Sequence, residues 1–288
     1  MPAGRARSRV VRARSRYAVK GPTVHPAMFE ELLEETLTTL TETKNLGDAW
    51  RALLRPDDVV GLKFNRSAQA VLATTRSVAP ILIDTIVRAG FKPQQIVCIE
   101  APLDLKTPHK TAAPRMGYER EETAFGSGSD QLALVLKQVT AIVDVPYLKT
   151  HNIAGLTGAL KNLSHGLVKH PARYHDHGCS PFIADIVALP EIRDKLRLCL
   201  VDALRVVYDK GPDATATTIS DEGLLLASLD PVAVDAVGLS ILNEIRDRAA
   251  LSPVAESASR LPYLADAHRK GLGIAVPHGI DVISRKLS

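Results

Sequence analysis

A single stretch of this 288-residue chain, residues 143–177, limits the folds that the whole sequence can adopt. It starts within an apolar, β-branched run at residues 141–145, which predicts a buried strand that stops at Pro146. Within the stretch, five of the nine histidines follow that proline, interspersed with lysines and glycines. Open α/β sheets bind ligands in the crevice at the carboxyl ends of their strands. The stretch therefore predicts an α/β fold with a functional site directly after this strand.

Strand and helix signals alternate before this stretch. Residues 59–65 form an apolar strand pattern, residues 74–89 carry apolar side chains at helical spacing, and residues 96–99 form another strand pattern. A strand–helix–strand unit of these lengths is typical of a right-handed crossover between parallel strands. The sequence thus predicts one large, Rossmann-like α/β domain, in which helices cover both faces of a mainly parallel sheet.

The same two periodicities predict the remaining elements. Further helices are predicted at residues 26–43, 48–53, 181–189, 232–246 and 261–269. Further strands are predicted at residues 196–202, 224–228 and 281–284. Residues 102–130 contain three prolines and many charges, which indicates a long surface excursion with one short helix.

The start of the chain differs from the rest in charge. Its first 20 residues contain six arginines and one lysine but no acid, although the net charge of the chain is only +4. Val10, Val11 and Ala13 interrupt these charges in a strand-like pattern. We therefore predict a basic segment with an edge strand at residues 1–24, followed by a single α/β domain at residues 25–288. A basic arm that binds nucleic acid is the alternative interpretation; we expect no nucleic-acid partner.

Composition narrows the class of protein. No apolar run reaches the roughly 18 residues of a membrane span, and no signal-peptide core follows the arginines. These features predict a soluble, cytoplasmic protein with no membrane partner. The three cysteines form no C-x-x-C pair, so no iron–sulfur cluster is expected. Cys98 and Cys199 lie in strand-like runs and are expected to be buried free thiols.

Two segments carry the residue types that bind an anion or a cofactor. The candidate binding residues are Lys63, Asn65, Lys149, Gly155, Thr157, Gly158 and Asn162. Glycines allow backbone N–H groups to approach a phosphate or a carboxylate closely, and lysines add positive charge. The alternative for Lys63 is a solvent-facing position on an edge strand.

His151 and Lys161 are the candidate catalytic residues. A histidine is suited to acid–base chemistry near neutral pH. Lys161 lies at the start of a predicted helix, whose free N–H groups favour an anion at the same point. The alternative is a tight strand-to-helix turn with Lys161 at the surface.

The other histidines of the stretch are interpreted separately. His177 is the candidate ligand for a divalent metal ion, whereas a solvated polar loop is expected to contain His165, His170 and His175. Three acids are expected to cap helices and to satisfy strand ends rather than to catalyse, namely Asp202, Asp230 and Asp235.

Distinctive motifs run along nearly the whole chain. They are Val-Gly-Leu-Lys63-Phe-Asn65, Val-Pro-Tyr-Leu-Lys149-Thr-His151, Gly155-Leu-Thr-Gly158-Ala-Leu-Lys161-Asn162-Leu, Val-Asp202-Ala, Lys-Gly211-Pro212 and Ser-Leu-Asp230-Pro-Val-Ala-Val-Asp235-Ala. In these motifs the sequence resembles the bacterial and archaeal family called domain of unknown function 362. Many members of that family carry ferredoxin-like cysteine clusters, which this chain lacks. The resemblance therefore implies no electron-transfer role here.

A second resemblance is local. It rests on the spacing of His151, Gly155, Thr157, Gly158 and Lys161. This spacing is similar to that of a motif in the nickel-pincer lactate racemases, in which the lysine holds the pincer nucleotide covalently. His177 falls where that family places a metal-binding histidine, but the Gly-Thr-His motif of those enzymes has no counterpart in this sequence. The resemblance implies a related site, not racemisation.

Two functions fit these residues. The first is an enzyme of unknown reaction that binds an anionic small molecule, or a nucleotide-like or metal cofactor, at the carboxyl ends of the strands. The second is a non-catalytic module that binds an anion or a partner with the same residues.

Overall fold

The computed structural model describes residues 7–115, 117–213 and 215–288. The strands are β1 (Ser8–Ser15), β2 (Val19–Lys20), β3 (Thr23–Val24), β4 (Val60–Phe64), β5 (Ile96–Ile99), β6 (Thr123–Phe125), β7 (Gly128–Asp130), β8 (Ala141–Val145), β9 (Tyr147–His151), β10 (Gly155–Thr157), β11 (Leu196–Val207), β12 (Ile219–Ser228) and β13 (Ile280–Leu287). The α-helices are α1 (Pro26–Thr41), α2 (Leu46–Leu53), α3 (Gln69–Leu72), α4 (Thr75–Arg88), α5 (Ala159–His165), α6 (Asp176–Cys179), α7 (Phe182–Val187), α8 (Pro190–Arg193), α9 (Pro231–Arg248) and α10 (Pro262–Arg269). None of these helices combines the length and the apolar character that crossing a membrane requires.

One nine-stranded sheet organises these elements. Its hydrogen-bonded order is β13-β1-β12-β11-β8-β4-β5, and β9 and β10 extend it beside β11. The strands β11, β8, β4 and β5 are parallel to one another, as are β1 and β13. Only β12 and β10 run antiparallel to the strands with which they pair. The sheet is therefore mainly parallel, which confirms the predicted α/β fold class.

The two faces of the sheet are covered by different helices. In β11, Leu198 and Leu200 pack in the core formed with α1, α2 and α4, whereas Cys199 and Val201 pack in the core formed with α5, α7, α9 and α10. This alternation follows from the two-residue period of a strand. Full burial of one leucine side chain contributes about 1.5–3 kcal/mol, so each face is stabilised by its own set of helices.

Pro146 does not end the pairing, although the sequence predicts that the strand stops there. The strand β9 begins at the next residue, because the carbonyl oxygen of Pro146 accepts a hydrogen bond from the backbone N–H of Asp202 at 2.8 Å. A proline lacks a donor but keeps its acceptor, so the ladder with β11 continues. Lys149 and His151 therefore lie on a strand rather than on a loop after one.

The segment between β5 and β8 is also different from the prediction. It contains the hairpin β6-β7 and a 3-10 turn at Leu134–Lys137, and its described residues include no α-helix. The short helix expected in the excursion at residues 102–130 is therefore absent from the described part of this segment.

The strand β1 corrects the prediction of an edge strand. It lies between β12 and β13 and pairs along its whole length with β13, which takes the edge position. The predicted boundary at residue 24 stays a prediction. Arg12 and Arg14 form ion pairs with Glu244 and Glu222, acids that are distant in the sequence. These pairs favour a structural role for the arginines, and the lack of a nucleic-acid partner stays a prediction.

Asp235 of α9 fixes the start of α5. Its carboxylate accepts hydrogen bonds from the backbone N–H groups of Ala159 and Leu160, at 2.6 and 3.1 Å. Burial raises the pKa of this carboxyl group to about 7. A Cβ atom at Gly158 would lie 2.1 Å from Oδ1 of Asp235, so the glycine makes room for this carboxylate. Asp235 thus caps a helix as predicted, and Asp230 caps α9 in the same way.

We predict that Gly158→Ala lowers the free energy of unfolding by about 1–3 kcal/mol, because the added methyl group displaces Asp235 from α5. Gly47→Ala in α2 is the matched control, since its Cβ would meet no atom closer than 3.4 Å. Alanine favours a helix over glycine by about 0.5–1 kcal/mol, so the control is expected to be neutral or slightly stabilising. Urea denaturation measures both variants, and equal destabilisation would show that the contact with Asp235 does not position α5.

Candidate functional site

A cavity of about 630 Å³ opens to solvent at the carboxyl ends of β4 and β5. Residues 65–71, which follow β4, form one wall, and Glu100, which follows β5, contributes to another. The predicted residues that line it are Asn65, Lys149, His151, Thr157, Lys161 and Asn162. Its volume is typical of small-molecule sites, which measure about 300–1,000 Å³. The structure thus gathers side chains from three distant segments in one pocket.

Lys63 lies beneath this pocket. The side chain is fully buried, and its ammonium donates to Glu100 at 2.8 Å, to Oδ1 of Asn162 at 2.9 Å and to the carbonyl of Phe64 at 2.7 Å. These three acceptors use all three donors of an ammonium group. Lys63 is therefore fully engaged within the protein, and its geometry does not support the predicted contact with a cofactor. The edge position considered for it is wrong, because β4 lies between β8 and β5.

Asn162 is fixed by hydrogen bonds on both ends of its amide. Its Nδ2 donates to the carbonyl of Lys63 at 3.2 Å and to Asp144 at 2.7 Å, while its Oδ1 accepts from Lys63 and from Asn65. Asp144 faces Lys63 across the β4–β8 pair, and burial raises the pKa of its carboxyl group well above the usual range. Asn65 and Asn162 thus form a rigid part of the pocket lining.

Lys149 and Lys161 bring positive charge to the pocket wall. Only 1% of Lys149 and 6% of Lys161 is exposed. The ammonium of Lys149 donates to the carbonyl of Ser67 at 3.1 Å and contacts Oδ1 of Asn65 at 3.4 Å, whereas Nζ of Lys161 lies 3.2 Å from Nε2 of His175. Among the described residues, neither ammonium hydrogen-bonds to a carboxylate. The surface position considered for Lys161 is therefore wrong.

Burial lowers the pKa of both lysines. The pKa of Lys149 falls to about 7, because burial disfavours its charge and Lys161 repels it. The pKa of Lys161 falls to about 8, again because of burial. Both groups therefore exchange protons near neutral pH, where an unperturbed lysine does not.

His151 is held as a neutral hydrogen-bond donor. Its Nδ1 accepts hydrogen bonds from the backbone N–H groups of Ile153 and Ala154, both at 3.2 Å. A nitrogen that accepts two N–H groups carries no proton, so the proton lies on Nε2. Burial, together with Lys161, lowers the pKa of His151 to about 3. This geometry fits a fixed donor better than the predicted acid–base role near neutral pH.

His165 and His175 also line the pocket, which contradicts the solvated loop expected for them. The ring of His175 stacks on His151 with centroids 5.5 Å apart and packs edge-on against His165 at 4.7 Å. His165 is four residues after Lys161 on α5, and this helical spacing is a signal that the sequence contains. His170 instead pairs with Asp130 at 2.9 Å. His177 is exposed and outside the pocket lining, so its metal role stays a prediction without geometric support.

The two glycines of the motif do not line the pocket. Gly155 has a φ of +78° in the turn between β9 and β10, where a Cβ would meet Leu261 and Val254. Gly158 faces Asp235, which already uses the first N–H groups of α5. The expected backbone cradle for an anion at this helix start is therefore not formed. Thr157 does line the pocket, and its buried Oγ1 has no hydrogen-bond partner among the described residues.

The fold and the pocket together define an α/β protein with a buried, lysine-lined cavity at the ends of its parallel strands. Residues 125–240, which include β9, α5 and both pocket lysines, match the model of the family described as Domain of unknown function (DUF362). This match confirms the resemblance over that part of the chain.

Comparison with solved structures matches this chain to the lactate racemase apoprotein from Thermoanaerobacterium thermosaccharolyticum. The two chains share 12% sequence identity with a TM-score of 0.39, over 68% of this chain and 51% of that one. The chain thus spans about half the length of that protein. No curated protein matches the sequence.

We predict that His151 stays neutral, with its proton on Nε2, from about pH 8 to about pH 5. The pKa of His151 is about 3 in the folded chain, against 6.5 for an ordinary histidine, so the unfolded chain binds the proton first as the pH falls. Stability attributable to this group is therefore lost from about pH 6.5 downward, by at most about 1.4 kcal/mol per pH unit.

Imidazole ¹⁵N NMR identifies the tautomer, and urea unfolding across this pH range measures the slope. His151→Gln should make the loss of stability in acid shallower. His278→Gln provides the control. His278 is exposed, so its removal should leave the loss of stability in acid unchanged. A His151 ring that titrates near pH 6.5 would contradict the assignment.

Proposed function

We propose that the protein is an enzyme that binds a small anion, of carboxylate or phosphate chemistry, between Lys149 and Lys161. The observation that carries the proposal is the presence of two buried lysine side chains in one pocket, neither of which hydrogen-bonds to a carboxylate of the described residues. An unpaired buried charge costs several kcal/mol. A bound anion would supply the missing counter-charge, which is why the pocket is suited to one.

Neutral donors complete the proposed anion site. His151 and Thr157 both line the pocket, and the proposal assigns the Nε2–H group of the first and the hydroxyl of the second to the ligand. The hydroxyl has no other partner among the described residues, so an oxygen of the ligand would satisfy it. Two cations and two neutral donors suit an oxyanion with several acceptor atoms. The cavity also has room for the nucleotide-like molecule that the sequence suggests, and this finer assignment stays a prediction.

Lys161 and His175 support an enzyme over a passive binding module. A general acid or base works best when its pKa lies near the working pH, and the pKa of Lys161 is about 8. Because an ammonium group only donates, Nε2 of His175 accepts from Lys161 and forms a proton-exchanging pair with it. His151, fixed and neutral, would polarise the substrate without exchanging protons. A non-catalytic binding module would need the charges of Lys149 and Lys161 but not the proton-exchanging pair of Lys161 and His175.

We predict that Lys149→Met and Lys161→Met each weaken the binding of inorganic phosphate or of a small dicarboxylate by at least about tenfold, because each removes one of two charges at short range. Isothermal titration calorimetry measures this binding. Lys92→Met, which removes an exposed lysine elsewhere, is expected to leave it unchanged. Native mass spectrometry of the purified chain then identifies any anion that is retained by the wild type and absent from Lys149→Met.

The effect on stability distinguishes a binding residue from a structural one. In the absence of an anion, Lys149→Met should raise the free energy of unfolding at neutral pH, by on the order of 1–3 kcal/mol, since it removes an unpaired buried charge. The pKa of Lys149 is about 7 in the folded chain, against 10.5 for an ordinary lysine. The unfolded chain therefore holds more protons between these values, and wild-type stability should rise with pH across them. A less stable Lys149→Met with unchanged anion binding would refute the proposed site.

A further inference from the structure

Three metal-ligating side chains converge beside the pocket. His165 of α5, His175 and Cys179 each place one nitrogen or sulfur atom within 4.8 Å of the others. Cys179 is a fully buried free thiol, and both histidines line the cavity. A buried thiol close to two imidazoles is the ligand set of a thiophilic transition metal. The mechanism proposed above uses His175 only as a partner of Lys161 and does not use the other two.

The backbone bends sharply to bring Cys179 to the histidines. His177, Gly178 and Cys179 have φ values of +51°, +69° and +65° in succession. Two of the three are not glycine, and a non-glycine residue in this left-handed region costs on the order of 1–3 kcal/mol. Such strain is concentrated at functional sites, because elsewhere nothing maintains it. Here the bend turns Cys179 back toward His175, four residues earlier.

Each histidine ring has one unprotonated nitrogen that a metal ion could bind in place of its present polar neighbour. These neighbours are Oγ of Ser164, 3.1 Å from Nδ1 of His165, and Nζ of Lys161, 3.2 Å from Nε2 of His175. Nε2 of His165 lies 3.2 Å from the carbonyl oxygen of Tyr174, which only accepts, so this nitrogen carries the proton and Nδ1 does not. A hydrogen bond from one ring nitrogen to a backbone carbonyl is how proteins orient a metal-ligating histidine. Nε2 of His175 faces the cationic Nζ of Lys161 at 3.2 Å and is therefore unprotonated as well.

We propose that His165, His175 and Cys179 bind a thiophilic divalent metal ion, with Zn²⁺ the best fit. Zn–N bonds of about 2.0–2.1 Å and a Zn–S bond of about 2.3 Å place tetrahedral ligand atoms roughly 3.4–3.8 Å apart, so the cluster needs to contract by about 1 Å. Cys179 binds as the thiolate and releases its proton to solvent. Three protein ligands leave one position for a ligand atom from the pocket, as in catalytic zinc sites.

This site is different from the one that the sequence suggests. His177 is exposed and is not part of the cluster, whereas His165 and His175, which belong to it, were expected in a solvated loop. The metal site also goes beyond the proposed anion site. It binds a cation rather than an anion, and Lys149 is not one of its ligands.

Cobalt substitution tests the proposal on the intact, chelator-treated chain. Titration with Co²⁺ should produce a thiolate-to-cobalt charge-transfer absorption in the near ultraviolet, and stoichiometric Zn²⁺ should abolish it by displacement. Cys179→Ser should lose this absorption, and His165→Gln and His175→Gln should each weaken Co²⁺ binding by at least about tenfold. Circular dichroism checks that each variant is folded, and Cys179→Ala replaces the serine variant if that one is not.

Two control variants test whether the cobalt absorption depends on the His165, His175 and Cys179 cluster in particular. His177→Gln and Cys98→Ser remove a histidine and a thiol outside the cluster and should keep the full cobalt spectrum. The proposal is overturned if the wild type shows no charge-transfer absorption, if that absorption survives in Cys179→Ser, or if His177→Gln abolishes it. Lys149→Met should retain Co²⁺ binding while it loses anion binding. A chain that binds anions but no Co²⁺ would therefore refute the metal site alone.

Discussion

The buried hydrogen bonds of Lys63 hold the pocket to the sheet. From the middle of β4, its ammonium reaches the first residue after β5 and the side chain of Asn162 on α5. Asn162 in turn contacts Asp144 on β8. Three strands and one helix are thus connected by a few side-chain hydrogen bonds, of which only the one to Glu100 ends on a partly exposed group. Removing one partner of such a network leaves the others unsatisfied at a cost of several kcal/mol. This dependence explains why a charged residue is placed on a buried interior strand of the sheet.

The orientation of α5 determines which side chains meet the ligand. Asp235 holds the start of the helix from the side opposite the pocket, and Asn162 anchors its middle. Lys161 and His165, one turn apart, then face the cavity together. The helix is only seven residues long, so its own backbone contributes little stability and the two anchors largely determine its direction. Because neighbouring elements position the helix, Lys161 and His165 are not needed to anchor it.

Local sequence patterns reveal the sheet better than they reveal the pocket. The strands β5 and β8 coincide with their predictions because each is an apolar run with a clear break after it. β9 is missed because its pairing depends on a carbonyl of Pro146 and a partner 56 residues later, Asp202. Gly158 makes room for the carboxylate of Asp235, and this contact between distant residues cannot be read from the local pattern either. His175 reaches the site through an irregular segment whose bend at residues 177–179 no periodicity encodes. Residue types thus indicate which side chains are reactive, while long-range contacts decide which of them meet.

The pairing of β1 with β13 has a consequence for how the protein is made. Ser8 lies opposite Ile280 and Ser15 opposite Leu287, so each contact closes a loop of more than two hundred residues. Contacts at such separation form late, because the entropy of loop closure opposes them. During synthesis, the backbone donors and acceptors of β1 that pair with β13 therefore stay unpaired until residues 280–287 have left the ribosome. A nascent chain in this state offers a strand edge to other chains, which favours aggregation until the last strand has paired.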